Sequence, residues 1–184
     1  FFSGNPVAPL RGMSIDQSFS FPADQAFQER SKEISLPEIN VLFLRIPHPI
    51  NLAFFEMISS RFARIPIINH PNGVLTTGNK AFLLTLDSAY TVPMALCETW
   101  ESVVDFSSRH DCVLKPVQSY GGRGILRVVG NQVHDGEEPI SWEAFEHLIR
   151  ESKQPFLAMQ YLRNISQGDQ RIVVVNGEIL ASSI

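Results

Sequence analysis

Basic residues are in the minority in this sequence, and cysteine is nearly missing. The 184 residues include 15 lysines and arginines against 19 aspartates and glutamates, a formal net charge of −4. With a sequence pI of about 5.7, that balance argues against a general binder of nucleic acid or of anionic membranes. The two cysteines, Cys97 and Cys112, form no CxxC pair, so they read as reduced, packed side chains of an intracellular protein. None of the five histidines has a partner at metal-ligand spacing, and no zinc site is expected. No apolar stretch approaches the roughly 18 residues of a membrane span. The chain opens on Phe-Phe rather than Met and has no basic, apolar, small-residue signal pattern. The expectation is a cytoplasmic protein met without its true N-terminus.

What remains is ordinary globular material: 44% apolar, 18% charged, enough for one large domain or two small ones. Residues 1–24 mix Pro, Gly and Ser with isolated aromatics and read as irregular. Residues 39–46 (INVLFLRI) form an apolar run that suits a strand buried on both faces of a parallel sheet. A helix over 51–63 and a short strand over 66–69, closed by HPNG, would complete a βαβ unit. A short helix is expected over 77–86, capped by Thr76 or Thr77. Clearer helices follow over 99–109 and 141–151. In the latter, Ser141 suits an N-cap, and Trp142, Phe145, Leu148 and Ile149 make one apolar stripe that reads as core. Strands are expected over 112–115, 125–129 and 156–162. RIVVV-NG-EILASSI at the end is a hairpin signal.

The informative stretch is LKPVQSYGGRGI at 114–125, with three glycines within four residues. Such a cluster marks positive φ or close approach to a ligand, although a plain hairpin loop would also use it. It is neither a Walker A loop nor a dinucleotide fingerprint, because a β-branched strand rather than a helix follows. HRD and DFG are absent, so it is not a kinase loop. A glycine flap between antiparallel strands can still cover phosphates with its backbone N–H groups. Lys80 falls in the first turn of a helix, where the macrodipole slightly disfavours a cation. Together with Lys115, Arg123 and Arg171 it makes a set that suits a polyphosphate. Asp169 and Arg171 are two apart at the mouth of a strand and face the same way; an exposed ion pair is the plain alternative.

Four segments, VLFLRIPHP, INHPNGVLTTGNKAFL, VLKPVQSYGGRGILRV and FLAMQYLRNISQGDQRIVVVNGEILA, fall in order between residues 39 and 184. In them the chain resembles the ATP-grasp carboxylate–amine ligases, and in detail the bacterial glutathione synthetases. The resemblance implies an α+β ATP-grasp fold, with a nucleotide cleft between two subdomains and part of a Rossmann-like domain ahead of it. The implied boundaries are 1–75 for the partial preceding domain, 76–158 for the small subdomain and 159–184 for the start of the large one. It implies that Lys80 and Lys115 reach the ATP phosphates and the adenine pocket. Ser119, Tyr120, Gly121 and Gly122 belong to the loop that closes over the phosphates, with Tyr120 at its tip. Gln160, Tyr161 and Leu162 match the hinge whose backbone pairs with the adenine edge. Asp169 lies near the ribose, and Arg171 binds the phosphoryl group and the acyl phosphate. Arg45 matches an arginine facing the active site or a subunit contact.

The implied chemistry is ATP-dependent formation of an amide through an acyl phosphate, joining glycine to γ-glutamylcysteine, with Mg2+ bound by residues outside this segment. The substrates implied are ATP and small peptides or amino acids, in a homo-oligomer (dimer or tetramer). Glu178 is the only carboxylate after Arg171, and GDQR stands where the family has GDKR, with Gln170 replacing lysine. The 184 residues are therefore expected to be part of a larger ligase and inactive alone. Two alternatives stay open. One is another ATP-grasp peptide or protein C-terminal glutamate ligase, whose hinge usually carries an acidic residue where Gln160 stands. The other is a non-catalytic ATP-binding protein.

Overall fold

The computed structural model describes residues 10–13, 29–44 and 51–183. Arg45 lies outside the described residues, as do residues 1–9 and 14–24 of the segment read as irregular over 1–24; within that segment Leu10–Gly12 is instead a strand, held by pairing with residues 32–34. The chain divides into two compact units, Phe1–Gly78 and Asn79–Ile184.

In the first unit, β1 (Leu10–Gly12) pairs antiparallel with β2 (Lys32–Ile34). β3 (Leu42–Phe43) runs parallel to β4 (Ile67–Ile68), with helix α1 (Leu52–Arg61) between them. That is the expected βαβ unit. Asn51 caps α1 by accepting from the Phe54 N–H at 3.4 Å, and Phe55 and Ile58 bury its inner face. The strand is not buried on both sides, because Phe43 is 60% exposed. HPNG does not close β4 as a turn; helix α2 (Pro71–Gly78) begins there. Pro71 suits that start because the first turn of a helix needs no N–H from it. The expected 77–86 helix is consequently broken into the end of α2 and a separate 3-10 turn, Lys80–Thr85. Its cap is Asn79, which accepts from the Ala81 N–H at 2.9 Å, rather than Thr76 or Thr77.

The second unit is built on a six-stranded sheet in the order β5-β10-β6-β7-β8-β9. The strands are β5 (Met94–Cys97), β6 (Cys112–Pro116), β7 (Leu126–Val129), β8 (Gln132–Asp135), β9 (Glu138–Ile140) and β10 (Phe156–Gln160). Every pairing is antiparallel. Helices α3 (Trp100–Arg109) and α4 (Trp142–Glu151) bring Val103, Phe106, Phe145 and Ile149 into one buried cluster with Cys112, Leu114, Leu126, Val128 and Val133. Strand alternation then fixes the other face. On β6 the buried Cys112, Leu114 and Pro116 alternate with half-buried Val113 and Lys115. On β7 Leu126 and Val128 alternate with Arg127 and Val129.

Both helix starts follow from their caps. Thr99 and Ser102 form a reciprocal capping box on α3, and Ser141 accepts from the Ala144 N–H on α4. Of the α4 stripe, Phe145 and Ile149 are buried, but Trp142 and Leu148 remain 38% and 40% exposed. The apolar face is thus narrower than the stripe suggests. β11 (Arg171–Val175) and β12 (Glu178–Ser183) form the expected antiparallel hairpin. Asn176 and Gly177 take φ of 51° and 83° at its turn, the paired positive values a two-residue hairpin connection requires. Its valines and isoleucines stay about half exposed.

Cys97 and Cys112 are both free and buried. Burial raises both thiols, and Cys112 is pushed up to about 12, with Cys97 and Asp111 nearby adding to the effect. Thiolates are the reactive species, so neither cysteine should react with Ellman's reagent at pH 8 in the native chain. Both should react in denaturant, and native labelling of either would contradict this packing.

Candidate functional site

Lys80 is drawn to the base of the glycine loop. Its backbone N–H donates to the Val117 carbonyl at 3.2 Å, which lays the 3-10 turn against the end of β6. Its ammonium then donates to the Pro116 carbonyl at 2.9 Å, to Ser119 Oγ at 3.2 Å and to the Ser119 carbonyl. It also sits 5.2 Å from the centre of the Tyr120 ring, within reach of a cation–π contact. Three oxygens and one ring face thus converge on a single half-buried ammonium. Burial lowers its pKa, and the charge of Lys115 lowers it further, so the two lysines are electrostatic neighbours. Burial also raises the Tyr120 phenol.

The rest of the loop base is equally held. Val117 N–H donates to Pro155 O at 3.1 Å, and Ser119 N–H to Pro116 O at 3.3 Å. Gln118 N–H donates to Gln154 Oε1 at 2.8 Å. Beyond Tyr120 the chain rises into Gly121 and Gly122, both exposed and both at positive φ. Gly124 closes the loop at φ +69°, and a Cβ there would lie 3.2 Å from Pro116 Cγ. The dihedral there favours glycine, and a Cβ would also crowd the Pro116 ring. The loop is a firmly anchored base with an exposed glycine crest.

Lys115 projects from β6 on the face opposite the helices, in register with Leu157 of β10 and Leu96 of β5. Gln160, Tyr161 and Leu162 follow at the end of β10. Gln160 N–H donates to Pro93 O at 2.9 Å and Tyr161 N–H to Asp111 O at 2.8 Å. Asp169 and Arg171 lie exposed at the entry to β11. Among the described residues they form no ion pair with each other, and Arg171 shares no hydrogen bond, ion pair or ring contact with Lys80, Lys115, Ser119 or Tyr120. The structure therefore brings together Lys80, Lys115, Ser119 and Tyr120, sets the 160–162 segment at the end of the same sheet, and places Arg171 on the separate hairpin.

Residue patterns alone did not point to Asp111. Its Oδ1 accepts from the Gly130 N–H at 2.7 Å and its Oδ2 from Arg163 at 2.8 Å, while its carbonyl holds Tyr161. The Gly130 bond, then Arg163, lowers its carboxyl below the ordinary range. One residue thus braces the segment that follows β10 from two sides. Arg127, 6.0 Å from the Tyr161 ring centre, extends the cationic face. Only pairing across the sheet reveals its role.

A cavity of about 350 Å3 lies beside the 3-10 turn, lined by Leu83, Leu84, Leu86, Val92, Pro93 and Met94 with Ser88 and Thr91. It has no charged lining residue and does not suit phosphate. Among the described residues no three His, Cys, Asp or Glu side chains gather to hold a metal, and Glu178 is exposed on β12. These side chains do not fit a magnesium site. No helix among the described residues is long and apolar enough to cross a membrane.

An antiparallel α+β unit whose glycine loop is pinned by a lysine, with a second lysine beside it, defines the class: a domain of the ATP-grasp type. Residues 79–184 match the family model described as "Prokaryotic glutathione synthetase, ATP-grasp domain", and the chain belongs to that family. It is similar to the glutathione synthetases of Bradyrhizobium diazoefficiens (23% identical over 94% of this chain and 53% of the relative) and Pseudomonas putida (26%, over 95% and 54%). That of Brucella melitensis is 27% identical, over 78% of this chain and 45% of the relative. The chain spans about half the length of the curated relatives it matches.

Proposed function

We propose that this chain is the ATP-binding part of a cytoplasmic carboxylate–amine ligase of the glutathione synthetase type. The carboxylate of γ-glutamylcysteine attacks the γ-phosphorus of ATP, releasing ADP and leaving an acyl phosphate. The amine of glycine then displaces phosphate and forms the amide. The chemistry needs no covalent enzyme intermediate, so catalysis rests on positioning and charge neutralisation. Lys80 and Lys115 neutralise the phosphates. Residues 119–122 close over them and keep water from the acyl phosphate. The 160–162 segment holds the base, Asp169 lies by the ribose, and Arg171 comes to the phosphoryl group. ATP and small peptide or amino-acid substrates follow from this reading, as does Mg2+ on ligands other than the residues described.

The observation that carries the reading is the convergence of Lys80 on the carbonyls of Pro116 and Ser119 and on Tyr120, at the root of the glycine crest. An ammonium held at the root of a glycine crest, with the charge of Lys115 beside it, suits a loop that covers phosphates. The full-length protein tests it through phosphate release from ATP with a panel of carboxylates and amines. Release should require both γ-glutamylcysteine and glycine and match amide formed. Release with glutamate and a protein C-terminus instead would shift the reading to a protein-modifying ligase, and nucleotide binding with no acceptor at all would favour a non-catalytic binder.

A further inference from the structure

The two edges of β10 are satisfied differently. Tyr161 N–H bonds toward the β6 side, to Asp111 O. Gln160 N–H bonds toward the β5 side, to Pro93 O. In an antiparallel pair each residue directs its N–H and its C=O to the same edge, and the opposing residue answers both. Pro93 can answer only one of them. It accepts from Gln160 but has no N–H to return, and no described residue donates to the Gln160 carbonyl. Leu162, one alternation further on, faces the same edge. Its carbonyl accepts from the Ile165 N–H at 3.2 Å, while its own N–H has no acceptor among the described residues. Gln160 and Leu162 are both exposed, so a free acceptor and a free donor stand two residues apart on an open strand edge.

A purine with an exocyclic amino group beside a ring acceptor fits that pair. Adenine offers its 6-amino group as donor and N1 as acceptor, whereas guanine presents an oxygen and an N1–H, reversed at both positions. We propose that Pro93 is a specificity-determining residue: lacking an N–H, it leaves the Gln160 carbonyl free for the 6-amino group of an adenine whose N1 accepts from Leu162. Any other residue at 93 supplies an N–H that closes the ladder and takes the acceptor away. The inference rests on the proposed nucleotide site and adds to it the residue that selects the base.

The test is calorimetric binding of ATP, purine riboside triphosphate (which lacks only the 6-amino group) and GTP to the full-length protein and to its Pro93→Ala variant. The wild type should bind ATP about three- to tenfold more tightly than the desamino analogue, the worth of one neutral hydrogen bond, and GTP more weakly still. In Pro93→Ala the preference for ATP over the desamino analogue should fall to near one. An unchanged preference in a folded variant overturns the role of Pro93 and leaves the nucleotide site standing. No binding of any of the three by the wild type overturns both. Should Pro93→Ala not fold, Pro93→Gly, which also restores the N–H, takes its place with the same two outcomes, and equal affinity of the wild type for ATP and the desamino analogue overturns the proposal outright.

Discussion

If the proposed function holds, replacing Lys80 with methionine in the full-length protein is expected to lower kcat/KM for ATP by about 10²–10³, the usual cost of removing one preorganised charge donor from a reacting group. Two losses combine. In the proposed role the phosphates lose a cation, and the loop loses the ammonium that ties Pro116, Ser119 and Tyr120 together. Lys80→Arg keeps the charge but not the compact three-donor head, so it should recover little. Circular dichroism should show both variants folded, because the buried cluster of the sheet does not include Lys80. A Lys80→Met variant within threefold of wild type would remove Lys80 from the site.

The same lysine carries a pH signature. Its pKa is lowered from 10.5 by burial first and by Lys115 second. Below the lowered value it is charged in the folded and unfolded chain alike, and its burial counts against folding. Between that value and 10.5 the folded chain has shed the proton that the unfolded chain still holds, so the Lys80 contribution to stability improves as pH rises through this window. Affinity for a triphosphate moves the opposite way, because the neutral amine no longer attracts it. ATP binding should therefore weaken at an alkaline pH below 10.5. Lys115→Met should move that loss upward only in part, since burial is the larger cause.

Much of this was readable in the residues. The capping serine and threonine set the starts of α3 and α4, and Asn-Gly set the last hairpin, because short-range chemistry decides both. The glycine crest and the two lysines beside it were legible as one cluster, and their meeting with phosphate is the proposal. The breaking of the 77–86 helix was not legible, because the pull of Lys80 toward Val117 and Pro116 depends on a strand 36 residues away. Strands β5, β8 and β9 were also missed. Each is three or four residues long, too short for a period, and is held by neighbours rather than by its own pattern. Asp111 and Pro93 escaped for a related reason. Their importance lies in which backbone group stands opposite, a property of register that no local motif encodes.

Phe145→Ala should cost about 3–5 kcal/mol, the range for deleting a fully buried phenyl group. Phe145 is 0% exposed. Its ring meets Trp100 edge-on at 5.3 Å and Trp142 at 5.6 Å. Trp142 is additionally fixed by its indole N–H, which donates to Asn131 O at 3.1 Å, so the neighbours are poorly placed to collapse into the gap. Exposed ion pairs such as Arg150 with Glu146 and Glu101 contribute too little to compensate. For a unit of about this size, the loss corresponds to a fall in Tm of at least about 12 °C. Trp142→Phe, at a position 38% exposed, should cost much less. The two variants separate support from chemistry. At a temperature where Phe145→Ala is still folded, its affinity for ATP should match wild type, because the helices pack on the face of the sheet opposite Lys115. A Tm shift below about 4 °C would mean that the aromatic cluster does not hold the sheet. A weakened ATP affinity in the folded variant would mean that the two faces are coupled, and that the binding face is shaped by the packing beneath it.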